Sequence, residues 1–254
     1  MQLGRLDITT AVMTLSSFRV APRQGHLDRA KRIVGYLVKM RTAVVRIRTG
    51  VPDFSDMPDA NHPWDTSVYQ GATELVPKDA PIPLGKPVRC TSYVDANLYH
   101  DMLTGRSVTG VLHLFNQTPI DWYSKKQATV ETATYGSEFV AARTATEQII
   151  ANHLALRYLG VPVIGPTILF GDNHSVIDSA TVPHSQLNKR HMGLSFHKVR
   201  ETIASGLMRF KWIKSEDNPA DILSKHWGYQ EVAPLIQQLL FSPGQDIALD
   251  GTQP

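Results

Sequence analysis

The sequence predicts an α/β fold built on a mixed sheet. Three observations carry this reading. Strand-like segments joined by short connections lie between Val88 and Ser124. A long helical segment follows them. The chain then alternates strand, helix, strand, helix, which asks for a sheet with helices packed on it.

The elements can be justified in order. Leu6, Ile8, Ala11, Val12 and Leu15 recur near the helical period until Pro22 stops the run. A second helical run begins near His26 and carries Ala30, Ile33, Val34, Tyr36, Leu37 and Met40. Its polar positions are mostly basic: Arg29, Lys31, Arg32, Lys39 and Arg41. On spacing alone these cations read as a solvated face, with a phosphate-contacting surface as the functional alternative. Val44, Val45 and Ile47, set between basic residues, form a short strand. From Pro52 to Lys86 the prolines at 52, 58, 63, 77, 81 and 83 interrupt a polar stretch with no hydrophobic period. A linker or long irregular loop is expected there, and with it the best domain boundary.

Strands take over next. Val88, Cys90, Ser92 and Val94 alternate and lead into Asp95, where the first strand is expected to end or be interrupted. Gly110–Phe115 is a second strand, Asn116-Gln117 a turn, and Ile120–Ser124 a third strand, in antiparallel hairpin order. A helix is expected from about Thr134 to Leu159, with Gly160 as its cap and Pro162 barring continuation. Thr167–Phe170 reads as a buried strand, followed by helices near Val176 and from Met192 to Ser205. Leu207–Ile213 is a fifth strand, and helices begin near Pro219 and Gln230.

Bulk properties exclude several classes. Of 254 residues, 42% are hydrophobic and 19% charged, so a buried core is expected. A net charge of +3 is compatible with a polyanionic partner without requiring one. The single cysteine, Cys90, rules out an intramolecular disulfide and a multi-cysteine zinc site. No stretch suits a bilayer span, the N-terminus lacks a secretory pattern, and no glycine-rich phosphate loop occurs.

Four acids stand where chemistry could use them. Asp95 meets the first strand's end, Glu138 the first turn of the long helix, Asp172 the end of the fourth strand, and Asp221 the helix after the fifth. Neighbouring strands and the helix packed on them could gather all four at one end of the sheet. Carboxylates so gathered repel unless cations sit between them, and hard oxygen donors suit magnesium or manganese. Singly, each acid reads as a turn former, a cap or a complement to a helix dipole. His191 and His197 are six residues apart. On one helix that is about 600°, so they face different ways and are poor partners for one metal.

The words around these acids are more specific than their positions. They run Tyr93-Val94-Asp95-Ala96-Asn97, then Thr104-Gly105-Arg106-Ser107-Val108-Thr109-Gly110, then Asp121-Trp122-Tyr123-Ser124-Lys125-Lys126-Gln127. Tyr135-Gly136-Ser137-Glu138-Phe139-Val140-Ala141, Gly171-Asp172-Asn173-His174-Ser175 and Asn188-Lys189-Arg190-His191 follow, and Asn218-Pro219-Ala220-Asp221-Ile222-Leu223-Ser224-Lys225 closes the set. In this order they resemble the ribonuclease H domain of copia-type retrotransposons, from about Pro87 to Trp227. Leu6-Asp7-Ile8, Leu15-Ser16-Ser17-Phe18, Pro22, His26 and Arg32–Leu37 resemble the C-terminal end of that family's reverse transcriptase. Two positions depart from the pattern: Asn97 and Gly136 stand where the family usually carries acids.

The resemblance implies a ribonuclease H-like fold, with a five-stranded mixed sheet flanked by helices and an N-terminal helical extension. It implies residues 1–50 as thumb- or connection-like helices ending a reverse transcriptase, 51–86 as a Pro-rich linker, 87–228 as the nuclease domain, and 229–254 as a C-terminal helix and tail. Asp95, Glu138, Asp172 and Asp221 would be catalytic and hold two Mg2+ ions, for which Mn2+ can substitute. The activity would be hydrolysis of the RNA strand of RNA/DNA hybrids during reverse transcription. Arg106, Lys125, Lys126, Asn173 and Arg32 would contact the nucleic acid. Other implied partners are the polymerase portion of the same polyprotein and no membrane; the implied locations are the cytoplasmic virus-like particle and the nucleus. No polymerase activity is expected, since no paired-aspartate polymerase motif occurs. The chain reads as a polyprotein fragment or as a gene remnant starting at an internal Met. Two alternatives remain: a catalytically inactive nucleic-acid-binding or connection domain of a degenerate or domesticated element, and another nuclease on this fold, such as an integrase. The order of the four acids fits ribonuclease H better than integrase.

Overall fold

In the computed structural model, residues 4–55, 57, 64, 68–187, 189–226 and 229–241 are described. Asn188, Trp227 and the expected tail beyond residue 241 lie outside them. The elements are α1 (Thr9–Ser16), α2 (Gln24–Lys39), β1 (Val44–Val45), β2 (Cys90–Asp101), β3 (Arg106–Phe115), β4 (Thr118–Lys126), α3 (Thr134–Tyr158), β5 (Thr167–Gly171), α4 (His174–Thr181), α5 (Gly193–Ala204), β6 (Met208–Trp212), α6 (Asp221–Ser224), α7 (Tyr229–Leu239) and β7 (Leu240–Phe241).

Five strands form one mixed sheet in the order β4-β3-β2-β5-β6. β2, β3 and β4 pair antiparallel, while β5 runs parallel to both β2 and β6. The α/β class with a mixed sheet is therefore as the sequence predicted. The β3–β4 turn holds Asn116 at φ 54°, a left-handed conformation that Asn tolerates and two-residue hairpins demand. The long helix ends one residue short of the expectation, and Gly160, at φ 66°, turns the chain out of it.

One expectation is corrected. β2 does not end at Asp95 but runs on to Asp101, with Asp95 opposite Gly110 in mid-ladder. The strand continues because a hairpin tip closes beyond it. Asp101 accepts hydrogen bonds from Thr104 Oγ1 at 2.6 Å and from the Leu103 amide at 3.2 Å. A bulge between Asn97 and Asp101 absorbs the misfit. The polar, turn-like residues of this tip hid the pairing from a reading based on apolar alternation. Glu138 is also one position later than expected, opening the second turn of α3 rather than sitting in the first.

Both faces of the sheet are covered, and strand alternation assigns the side chains. On one face Val94, Val111, Leu169 and Phe210 pack against Phe139, Ala145 and Ile149 of α3 and Val199 of α5. On the other, Leu112, Leu114 and Trp122 pack against Leu6, Ile222, Leu223, Ile236 and Leu239. Adjacent Val111 and Leu112 thus serve opposite cores. The N-terminal segment seals the second core: Leu6 is fully buried, and Thr10 Oγ1 donates to the Ile222 carbonyl at 2.8 Å.

The Pro-rich segment is tied down at several points. Glu74 makes a two-pronged ion pair with Arg157 at 2.9 and 3.1 Å. The Leu84 amide donates to the Gly160 carbonyl at 2.8 Å. The Trp64 ring lies 4.7 Å from the buried Arg200 guanidinium.

Leu6→Ala should cost about 2–5 kcal/mol in urea unfolding, since a fully buried leucine leaves a cavity. A loss under about 0.5 kcal/mol would mean that the N-terminal helices do not stabilise the sheet.

Candidate active site

The acids gather where parallel pairing directs them. β2 and β5 are in register at Tyr93 and Phe170, so Asp95 and Asp172 stand level, two residues further along each chain path. α3 crosses this edge and delivers Glu138, while Phe139 beside it anchors the helix in the core. Asp95, Glu138 and Asp172 offer carboxylate oxygens that all lie within 4.8 Å of one another. They line an open pocket of about 520 Å³ with Asn173, His174 and Lys225. Asp221, the fourth expected member, is beside this group but turned toward Lys225, the residue that follows the short α6, with which it pairs four positions away.

Lys225 is the residue that the sequence reading passed over. Its ammonium touches Asp221 and lies 3.5 Å from Asp95 Oδ1. Burial works against its charge, yet Asp95, Asp221 and Asp172 outweigh that, and its pKa is raised. The only signal in the sequence was an acid and a base four apart, Asp221 and Lys225. Ser224, whose hydroxyl donates to Asp95 Oδ2, and Ser215, whose hydroxyl donates to Asp172 Oδ2 at 2.6 Å, gave no such signal.

Electrostatics make the site costly. Burial, with Asp221 and Asp172 nearby, pushes Asp95 up to about 7 against the pull of Lys225. Burial, with Asp95 and Asp172, raises Glu138 well above the ordinary carboxylate range. Such a set is stabilised by a cation between its members, and its hard oxygen donors fit Mg2+ or Mn2+.

Gly110 sets how closely α6 approaches. A Cβ there would lie 2.7 Å from the Ala220 carbonyl oxygen and 2.9 Å from the Ser224 amide. No side chain fits, so α6 lies directly on β3 and carries Asp221, Ser224 and Lys225 to the strand that faces Asp95. Asn218 fastens the approach by donating to the Val94 carbonyl at 2.9 Å.

The expected nucleic-acid contacts are scattered. Arg32, Arg106 and Lys125 are exposed and outside the acid pocket. Lys126 pairs with Asp101 at 2.8 Å. Asn173 lines the pocket, but its side-chain oxygen caps α4 by accepting from the Val176 amide at 3.2 Å. The two histidines part company: His191 lies 3.2 Å from the buried Glu131 carboxylate, and His197 2.9 Å from the Tyr69 hydroxyl.

No family model matches the chain. Over 221 residues, 87% of its length, it is 29% identical to the retrovirus-related Pol polyprotein from transposon TNT 1-94 of Nicotiana tabacum. Over the same span it is 24% identical to the corresponding polyprotein from transposon RE1 of Arabidopsis thaliana. Its relatives are retrovirus-related Pol polyproteins of plant transposons. The chain spans 14% of the tobacco protein and 13% of the Arabidopsis one. Among solved structures, LC11-RNase H1 in complex with an RNA/DNA hybrid aligns with TM-score 0.43 and 16% identity, over 54% of this chain and 94% of that one. The N-terminal RNase H domain of a Mycobacterium tuberculosis protein aligns with TM-score 0.42 and 10% identity, over 59% and 97%. The architecture of the chain itself is α/β, a five-stranded mixed sheet flanked by helices.

Two outcomes follow from the geometry. Gly110→Ala should destabilise the protein by about 1–3 kcal/mol through overpacking against α6; wild-type stability would mean that α6 is not held on β3. The second concerns pH. The folded-state pKa of Asp95, about 7, lies above its ordinary 3.8, so its contribution to stability is complete below that lower value and is lost as pH rises toward 7. In a chelator, melting temperature should therefore fall between pH 4 and 7, and Glu138→Gln should flatten the fall by removing one of the competing charges. Parallel pH profiles for the two proteins would contradict the assigned repulsion.

Proposed function

We propose that this chain is a magnesium-dependent nuclease that hydrolyses the RNA strand of RNA/DNA hybrids as part of retrotransposon reverse transcription. The observation that carries the reading is the convergence of Asp95, Glu138 and Asp172 within 4.8 Å in a chain whose relatives are Pol polyproteins. Asp221 adjoins them through Lys225. These four carboxylates would hold Mg2+, or Mn2+ in its place. When bound, such a metal supplies the positive charge that lowers the pKa of water and offsets charge on a phosphodiester.

The protein's own groups prepare that chemistry. Ser224 and Ser215 hold the orientations of Asp95 and Asp172. Lys225 offsets the charge of Asp95 and Asp221. Preorganisation of this kind means that little rearrangement accompanies the reaction. The products of RNA hydrolysis would be a 5′-phosphate and a 3′-hydroxyl, and choice of the RNA strand would come from contacts to its 2′-hydroxyl. The polymerase portion of the same polyprotein is the natural partner.

The Lys225 ammonium also favours a second reading. A cluster already neutralised by a side chain could be retained without metal, in a domain that binds hybrids and does not cut them.

The test is cleavage of a labelled RNA/DNA hybrid by the full chain in Mg2+, with Asp95→Asn alongside. Cutting of the RNA strand alone, falling at least 100-fold (on the order of 10²) in the variant, is expected. A folded protein that binds the hybrid without cutting it would leave the binding reading.

A further inference from the structure

A second groove, of about 670 Å³, lies beside the acid pocket. Asn97 and Lys225 line both, so the two are continuous. Its walls come from opposite ends of the fold: the β2–β3 hairpin tip and Lys126 on one side, and Thr14, Phe18 and Arg29 of the N-terminal segment on the other. Three cations line it: Lys126 is paired with Asp101 and Lys225 with Asp95 and Asp221, which leaves Arg29 as the cation available to a ligand.

Two imidazoles line the groove. His100 and His226 lie 4.9 Å apart, ring centre to ring centre. Each is pinned: His100 Nδ1 is 2.9 Å from Asn97 Nδ2, and His226 Nε2 is 2.9 Å from Thr14 Oγ1. Partial burial lowers the pKa of each ring, helped by His226 beside His100 and by the Arg29 charge beside His226. The groove therefore presents two fixed hydrogen-bonding rings beside Arg29, with Phe18 on its wall. An aromatic face, hydrogen-bonding rings and one exposed cation match a sugar–phosphate backbone rather than a small anion, which would need one tight cluster of donors.

We propose that this groove seats the backbone of the nucleic-acid strand where it leaves the acid pocket, which makes the N-terminal helices part of the substrate-binding surface. The proposal rests on the nuclease reading above and deepens it by assigning the strand's path. Arg29 is the residue to test, because it is exposed on α2, the groove needs its charge, and no role in the acid cluster attaches to it.

The experiment measures binding of a fluorescent RNA/DNA hybrid to the full chain across a salt series. Arg29→Glu is compared with Lys39→Glu, which makes the same charge change on the same helix outside the groove. Arg29→Glu should weaken binding about tenfold and reduce the slope of log K against log salt by about one, as for a lost phosphate contact. Lys39→Glu should do neither. His226→Ala should weaken binding without changing the slope. Equal effects of the two charge reversals would overturn the groove assignment, since they would report only long-range charge. Cleavage assays run in parallel separate the two claims. If the wild type cuts hybrids and Arg29→Glu binds them as the wild type does, the groove fails and the nuclease reading stands. If the wild type neither binds nor cuts hybrids, both fail.

Discussion

Buried like charge is the constraint around which this fold is arranged. Asp95 and Glu138 are both nearly excluded from solvent, and Asp172 completes a set of oxygens within 4.8 Å. Water would otherwise solvate such groups, and removing it costs several kcal/mol per ion unless a counter-charge replaces it. The counter-charge present is Lys225, and everything that positions Lys225 is therefore part of the acid cluster's stability. That includes the short α6, the Asn218 bond to β2 and the missing side chain at Gly110. A helix of four residues has little stability of its own; tertiary packing holds it.

The two cores divide this work. The face packed by α3 and α5 holds Glu138 and the central strands in place, as an ordinary α/β layer would. The opposite face supports α6, and its cover comes from the N-terminal segment and α7. The geometry of the acids thus depends on residues far from them in sequence. Leu6 belongs to the same apolar cluster as Leu223, whose neighbour Ser224 touches Asp95.

Much of this was legible in the sequence. The succession of strands and helices along the chain, the long helix and its glycine cap follow from periodicity and turn chemistry, which are local. The sequence marked four acids as able to gather at one end of the sheet; three of them lie within 4.8 Å of one another, although Asp95 stands in mid-strand rather than at a strand end. What escaped had non-local causes. The extension of β2 past Asp95 depends on cross-strand partners in a polar hairpin, so its own alternation does not announce it. Gly110 reads as an ordinary strand residue until the helix that lies on it is known. Lys225 follows a helix too short for periodicity to reveal which way it faces. The ties along the Pro-rich segment, such as Glu74 to Arg157, join residues 83 apart, and composition marked that stretch only as irregular.

The small ribbon between β1 and β7 pairs Val44 with Phe241 and Val45 with Leu240. It joins a segment that follows the N-terminal helices to the last described residues, and this bears on the order of assembly. Closing so long a loop costs entropy that only late contacts repay. During synthesis, the cover that α7 adds to the N-terminal segment and α6 arrives last, and with it the ribbon. A chain ending before residue 229 would lack Ile236 and Leu239, which complete the cover over Leu112, Leu114 and Trp122. The window for misassembly is thus set by the arrival of the last dozen described residues, not by the formation of the strands that carry the acids.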